Sequence, residues 1–223
     1  MRGAWGGREG PGRVYRKGPG PHRMKTSSNG FKRADFDAIA ASIRPGSRVL
    51  DLGCGDGVLL KYLKGARGVS GYGVEIDDAS VIGCAMNGVD VIQSDLERGL
   101  SEFESGSFDY VVLSQTLQAM MNGERVINDM LRVGREGIVT FPNFGYWKNR
   151  LQVLAGHMPV SDNLPYQWHD TPNVHLCTIS DFEDFCAGHG VKILERKVLT
   201  ESRPVSVLPN LLGALAVYRF QRA

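Results

Sequence analysis

Apolar and polar positions follow regular periods from residue 34 to residue 142 of this 223-residue chain. A first helix is predicted from apolar residues spaced i, i+3, i+4 and i+7, namely Phe36, Ile39, Ala40 and Ile43. Short apolar runs predict strands at residues 48–52, 71–76, 89–93, 110–113 and 137–141. Amphipathic stretches predict helices at residues 58–63, 79–86 and 124–132. Apolar strands that alternate with helices are typical of a mostly parallel sheet with helices on both faces.

The segment after the fifth strand is less regular. Residues 144–154 predict a helix because apolar residues recur at i, i+4 and i+7, at Trp147, Leu151 and Leu154. Residues 156–177 contain three prolines and no period, which predicts a long loop. Aromatic residues mark this segment at Tyr146, Trp147, Tyr166 and Trp168. Three interpretations stay open for them: a lid over a ligand pocket, an interface with a partner, or core.

The C-terminal part completes one α/β domain. Ser180 and Glu183 have the spacing of a capping box, which predicts a helix from there to about residue 188. Residues 191–199 and 214–220 predict an antiparallel pair of strands. The pattern therefore predicts a single domain over residues 31–223. Its sheet is doubly wound, mostly parallel and Rossmann-like, with about seven strands and an antiparallel strand near the C-terminus.

The positive charge of the chain is concentrated at its start. Residues 1–25 hold seven Lys or Arg against one acid, Glu9. Residues 1–30 are rich in Gly and Pro and lack an apolar period, so they are predicted to be a disordered tail. The tail is open to three interpretations: a nucleic-acid-binding arm, a solvated tail without a role, or a misassigned start with Met24 as the initiator. The last is favoured, and no nucleic-acid partner is expected.

Cysteine spacing and hydropathy indicate in which cellular compartment the protein is expected to reside. The four cysteines are scattered and form no C-x-x-C pair, which favours free thiols in a reducing, cytoplasmic setting. No stretch approaches the roughly 20 apolar residues that a membrane span needs, so no membrane association is expected. No His, Cys or carboxylate spacing indicates a metal site.

The most informative stretch is the loop after the first strand, where Gly53, Gly55 and Gly57 form a G-x-G-x-G pattern. The dinucleotide fingerprint is G-x-G-x-x-G, and its sixth position here is Val58. Asp51 would repel a pyrophosphate but would attract an ammonium group. S-adenosylmethionine and S-adenosylhomocysteine carry an ammonium group and no phosphate. The loop therefore favours these ligands and disfavours an NAD-dependent oxidoreductase.

Two further acids stand at the ends of the next two strands, at Glu75 and Asp95. Glu75 stands where ribose hydroxyls are bound in dinucleotide folds, and Asp95 is placed to accept from the amino group of an adenine. The remaining candidate ligand contacts are Ile76, Leu96 and Gln115, which lie at or just after the ends of strands two, three and four. The alternative interpretation is that these acids are ordinary helix caps and turn residues.

Residues 34–142 resemble the class I S-adenosylmethionine-dependent methyltransferase fold. More specific stretches resemble the MetW family of methionine biosynthesis proteins, at residues 48–63, 71–76, 91–100, 107–118, 130–147 and 164–185. The resemblance implies a role in methionine synthesis together with a homoserine O-acyltransferase as partner.

The sequence lacks the catalytic motifs of two classes of methyltransferase but offers candidate general bases. The segment after the fourth strand reads Ser-Gln-Thr-Leu, without the Asn/Asp-Pro-Pro-aromatic motif of amide and adenine N-methyltransferases. No cysteine follows a proline, as a cytosine C5 enzyme requires. The candidate general bases are His169 and His175, both in the long loop, and His175 is the one singled out as a catalytic candidate. Two functions stay open: an accessory subunit that binds S-adenosylmethionine and docks on an acyltransferase, and a methyltransferase that acts on a small molecule.

Overall fold

The computed structural model describes residues 34–223, so the predicted tail of residues 1–30, with Met24, lies outside the described residues. The helices are α1 Ala34–Ser42, α2 Val58–Arg67, α3 Asp78–Met86, α4 Gly123–Val133, α5 Trp147–Leu154, α6 Ile179–Gly188 and α7 Pro209–Leu212. The strands are β1 Arg48–Leu52, β2 Ser70–Glu75, β3 Val91–Gln93, β4 Phe108–Ser114, β5 Gly134–Pro142, β6 Val191–Thr200, β7 Arg203–Pro204 and β8 Leu215–Arg222. None of the helices within residues 34–223 is long and apolar enough to cross a membrane.

All eight strands form one sheet in the order β3-β2-β1-β4-β5-β8-β6-β7. The first five strands pair in parallel, and β8 is inserted antiparallel between β5 and β6. The predicted doubly wound sheet with an antiparallel C-terminal part is confirmed. The additional strand is β7, a two-residue edge strand that pairs with the end of β6 and is too short to produce a period in the sequence.

Helices cover both faces of the sheet and give it two cores. On one face, α1 and α2 pack over β1 and β4 through buried residues such as Phe36, Ile39 and Leu60. On the other face, α4 and α6 pack through residues such as Met130 and Phe182. Side chains alternate between faces along a strand, so the carboxyl end of β1 sends Asp51 toward the α1 side. Both cores leave the carboxyl ends of the parallel strands at one edge.

Three local predictions need correction. The capping box of α6 is formed by Thr178 and Asp181, not by Ser180 and Glu183. Thr178 has extended backbone geometry and accepts from the amide of Asp181, whereas Ser180 already lies inside the helix. The fifth strand continues through Pro142. Proline has no amide hydrogen to donate, but at the last position of a strand this donor is not needed for the sheet. The helix after it begins at Trp147 rather than at residue 144.

Thr178→Ala should destabilise the domain by about 1 kcal/mol, because it removes a cap that satisfies an exposed helix amide. Ser180→Ala is the matched control. The Ser180 hydroxyl only accepts an exposed hydrogen bond from Asn210, so its loss should cost under about 0.5 kcal/mol. Urea denaturation of both variants measures the difference. Equal losses in the two variants would contradict the assignment of the cap.

Candidate functional site

The glycine loop turns sharply between β1 and α2. Gly53, Gly55 and Gly57 have φ values of +64°, +56° and +77°, a left-handed region that other residues rarely adopt. A Cβ on Gly53 would lie 2.8 Å from the side chain of Thr116, on the segment that follows β4. Gly53 therefore lets the loop pack closely against the segment after β4, and all three predicted glycines fit the left-handed backbone of the turn.

Glu75 connects the loop to the end of β2. Its Oε2 accepts a 2.9 Å hydrogen bond from the amide of Gly55, and its Oε1 accepts from the amides of Ile76 and Asp77 at 2.8 and 3.0 Å. The amides of Gly53 and Cys54 both donate to the Val74 carbonyl, at 2.8 and 3.1 Å. The carboxylate thus lies directly beside the loop, as the strand-end position predicts. Its Oε2 accepts only the Gly55 amide, so this oxygen has a second lone pair with which to accept from a ligand hydroxyl.

Asp95 lies one strand further out, just after β3. It caps the short 3-10 turn Leu96–Arg98, since its Oδ1 accepts from the amide of Glu97 at 2.9 Å. The cap interpretation of this residue is therefore realised in its geometry, and a ligand contact would use its remaining oxygen. Leu96 is buried behind it, whereas Ile76, which follows β2, is exposed.

Asp51 and Gln115 lie on the α1 side of the same edge. Asp51 is buried near the end of β1, with 1% of its surface exposed. Gln115 follows β4 with φ +53°, and its amide donates to the carbonyl and hydroxyl oxygens of Thr140 at 2.9 and 3.1 Å. Its side-chain Nε2 donates to Asp35 of α1 at 3.0 Å. Asp35 is a contact that the sequence pattern did not identify, because an acid in the first turn of a helix ordinarily complements the helix dipole.

The aromatic residues in and before the long loop differ in burial. Tyr146 is buried and Tyr166 half-buried, so they contribute to packing, whereas Trp168 is 74% exposed. A cavity of about 40 Å³ lies under the loop, between Phe144 and the side chains of Met158 and Leu176. His175, the candidate base, is exposed and its Nε2 lies 3.2 Å from the Met121 carbonyl. A carbonyl only accepts, so Nε2 is the donor and Nδ1 is left as the basic nitrogen.

Two cysteines meet beneath the glycine loop. Cys54 and Cys84 are buried with their sulfurs 3.7 Å apart, and Cys84 lies within 3.1 Å of the Gly55 carbonyl. Burial raises the pKa of the Cys54 thiol, and the nearby Asp51 carboxylate raises it further. Burial also raises the pKa of Cys84. The pair is 30 residues apart in sequence, so no spacing motif announces it.

The edge as a whole presents backbone amides, carboxylates and a side-chain amide. Such groups bind and orient a polar ligand, and methyl transfer from a sulfonium relies largely on orientation. Among residues 34–223, no group of three or more His, Cys, Asp or Glu side chains is arranged to hold a metal ion. The arrangement matches the ligand edge of open α/β sheets, which lies at the carboxyl ends of the strands.

Solved structures share this architecture. An S-adenosylmethionine-dependent methyltransferase from Thermotoga maritima superposes with a TM-score of 0.62 at 18% identity, covering 85% of this chain and 88% of that one. At that identity the likeness concerns the fold. The chain has the fold of class I S-adenosylmethionine-dependent methyltransferases.

Sequence comparison is more specific. The model of the family described as methionine biosynthesis protein MetW matches residues 33–220. The bifunctional methionine biosynthesis protein MetXA/MetW of Rhodopirellula baltica is 38% identical over 202 residues, which is 84% of this chain and 32% of that protein. The chain belongs to the MetW family. The ubiquinone biosynthesis O-methyltransferase of Hahella chejuensis is 32% identical over 134 residues, 54% of this chain and 55% of that protein. The chain thus spans about a third and about half of the length of these two relatives.

We expect the thiols of the native protein to react slowly with Ellman's reagent at pH 8. Burial raises the pKa of Cys177 and of Cys186 to about 12, as it raises those of Cys54 and Cys84, so little reactive thiolate is present. In denaturant all four thiols should react at once. A thiol that reacts within seconds in the native protein would contradict this account.

Proposed function

We propose that this chain binds S-adenosylmethionine or S-adenosylhomocysteine and acts with a homoserine O-acyltransferase in methionine biosynthesis. The observation that carries the partnership is the Rhodopirellula baltica relative, which is named both MetXA and MetW. The present chain corresponds to 32% of that protein. We take the MetXA part to be the acyltransferase. Two activities joined in one chain in a relative support an association between separate chains here.

The ligand half of the proposal rests on the strand-end groups. The strand order places β3, β2, β1 and β4 side by side, so Asp95, Glu75, the glycine loop and Gln115 follow one another along the edge. A nucleoside whose adenine lies at Asp95 and whose ribose lies at Glu75 directs its amino-acid chain over Gly53. The buried carboxylate of Asp51 makes that end of the edge favourable for a cationic group.

The partner half of the proposal rests on α5, which faces its apolar residues outward. Trp147, Leu151 and Leu154 lie on one helix face and are 39%, 54% and 82% exposed, whereas the buried residue of α5 is Asn149. A surface helix normally directs its apolar face to the core. We assign the α5 face, defined by these three residues, as the surface that docks on the acyltransferase.

The second candidate function is methylation of a small molecule by the chain itself. The similarity to the ubiquinone biosynthesis O-methyltransferase favours it. In that case His175 is the general base, acting through Nδ1, because its Nε2 is directed to the Met121 carbonyl. Methylation of a defined metabolite by the purified chain, lost in His175→Ala, would move this function to first place.

Ligand binding can be measured by calorimetry with S-adenosylhomocysteine. Gly53→Val should abolish it, because the new side chain clashes with Thr116 and the left-handed backbone is strained. Gly65→Ala is the control, since Gly65 lies exposed in α2 with no atom within 4 Å of a new Cβ. Absence of heat in the wild type would reject the ligand half of the proposal. Unchanged binding in Gly53→Val would place the pocket elsewhere.

Partner binding can be measured with the purified acyltransferase. The chain should co-elute with it at micromolar concentration and raise its acyl-transfer rate. Leu154→Asp should weaken the complex at least tenfold, because it places a charge in the apolar α5 face. Met86→Asp, on α3 and 84% exposed, should leave the complex unchanged. Neither a complex nor a rate change would reject the partnership, whereas self-association lost in Leu154→Asp would assign the α5 face to a second copy of the chain.

A further inference from the structure

Gln115 occupies a sterically disfavoured conformation at the edge where the ligand is proposed to bind. Its φ of +53° is in the left-handed region, which a long side chain adopts rarely. The backbone amide of Gln115 donates to the carbonyl and hydroxyl oxygens of Thr140, which holds the backbone in this conformation. Thr140 is fully buried. Conformations of this kind persist where the surroundings fix them, and they concentrate at functional sites.

The side-chain amide group of Gln115 has a fixed orientation. Its Nε2 donates to Asp35 Oδ2 at 3.0 Å, and that same oxygen lies 3.2 Å from the Ser114 hydroxyl. A carboxylate only accepts hydrogen bonds, so the atom of Gln115 that faces Asp35 must be the nitrogen. The other atom, Oε1, is therefore an acceptor, and it forms no hydrogen bond with any of residues 34–223.

Asp35 is itself held in place by the fold. It is 1% exposed in the first turn of α1. At the other end of that helix, Lys197 of β6 donates to the Ala38 carbonyl and to the Ser42 hydroxyl, at 3.2 and 2.8 Å. Ser42 also donates to Glu195 at 2.8 Å. Because α1 is fixed against β6, Asp35 is a rigid reference for the amide of Gln115.

The position of Gln115 decides which part of a ligand its oxygen meets. Gln115 follows β4, on the opposite side of the glycine loop from Glu75 and Asp95. The next residue, Thr116, packs against Gly53. In a nucleoside ligand with an amino-acid chain, this is the amino-acid end, whose hydrogen-bond donor is the α-ammonium group.

We propose that Asp35 is a positioning residue that orients Gln115 so that its Oε1 accepts from the α-ammonium group of the ligand. The proposal rests on the proposed binding of S-adenosylmethionine or S-adenosylhomocysteine. It makes α1 a part of the ligand site and gives Asp35 a role in specificity. Ligands with the ammonium group are distinguished from adenosine derivatives without it.

The test compares two ligands that differ in the amino-acid portion, which carries the ammonium group. S-adenosylhomocysteine carries the ammonium group, and 5′-methylthioadenosine lacks the whole amino-acid portion. Gln115→Met keeps the length of the side chain but removes both amide atoms. It should weaken S-adenosylhomocysteine binding by about tenfold, the usual effect of one hydrogen bond to a charged group. Its affinity for 5′-methylthioadenosine should be unchanged. Asp35→Ala should reduce the ratio of the affinity for S-adenosylhomocysteine to the affinity for 5′-methylthioadenosine by several-fold.

A double variant separates orientation from folding. In Asp35→Asn with Gln115→Glu, the new amide donates to the new carboxylate, whose second oxygen stays an acceptor for the ligand. This variant should retain the wild-type preference for S-adenosylhomocysteine, and it serves if Asp35→Ala does not fold.

Each outcome decides one claim. Equal weakening of both ligands in Gln115→Met, or no weakening of either, overturns the role of Gln115 and Asp35. Loss of the preference in the double variant does so too. If the wild-type chain binds neither ligand, the proposed function fails, and the inference fails with it.

Discussion

Parallel pairing of β1 with β2 on one side and β4 on the other is the constraint on which the candidate site depends. This pairing brings the carboxyl ends of the three strands to one edge. The glycine loop, which follows β1, therefore lies between the end of β2 and the end of β4. The loop is then held by hydrogen bonds to the end of β2, from Gly53 and Cys54 to the Val74 carbonyl and from Gly55 to Glu75. The loop that makes these bonds has left-handed backbone at three alternate positions, which explains why glycine occupies each of them.

The same architecture separates two kinds of surface. The strand-end edge collects polar groups, several of them buried, and orients them with hydrogen bonds from the sheet and from α1. The α5 helix, which follows β5, instead directs its apolar residues to solvent and buries Asn149. Between them, the amides of Val174 and His175 donate to the Gln118 carbonyl at 2.8 and 3.0 Å, so the long loop contacts the segment that carries Gln115. A ligand at the edge would contact the segment with Gln115, and a partner on α5 would contact the helix just before the long loop. The long loop links these two parts of the chain through its hydrogen bonds to Gln118.

Periodicity predicted the parts of the fold in which burial sets the sequence. The α1 and α4 helices and the strands β1 and β4 are confirmed because their buried residues recur at helical or strand spacing. The cap of α6 was misplaced because Ser180 and Glu183 have the same spacing as Thr178 and Asp181, and only backbone geometry distinguishes them. The placement of Glu75 beside the glycine loop followed from strand-end logic. The contacts of Asp35 and the Cys54–Cys84 pair did not, since they join residues 80 and 30 positions apart and depend on packing.

A crystal structure of the chain with S-adenosylhomocysteine tests the central claim most directly. The account predicts the adenosine between Glu75 and Asp95, with the amino-acid end over Gly53 and its ammonium group within hydrogen-bond distance of Gln115 Oε1. A ligand bound away from the carboxyl ends of β1, β2 and β4, or one with its amino-acid end directed away from α1, would contradict it.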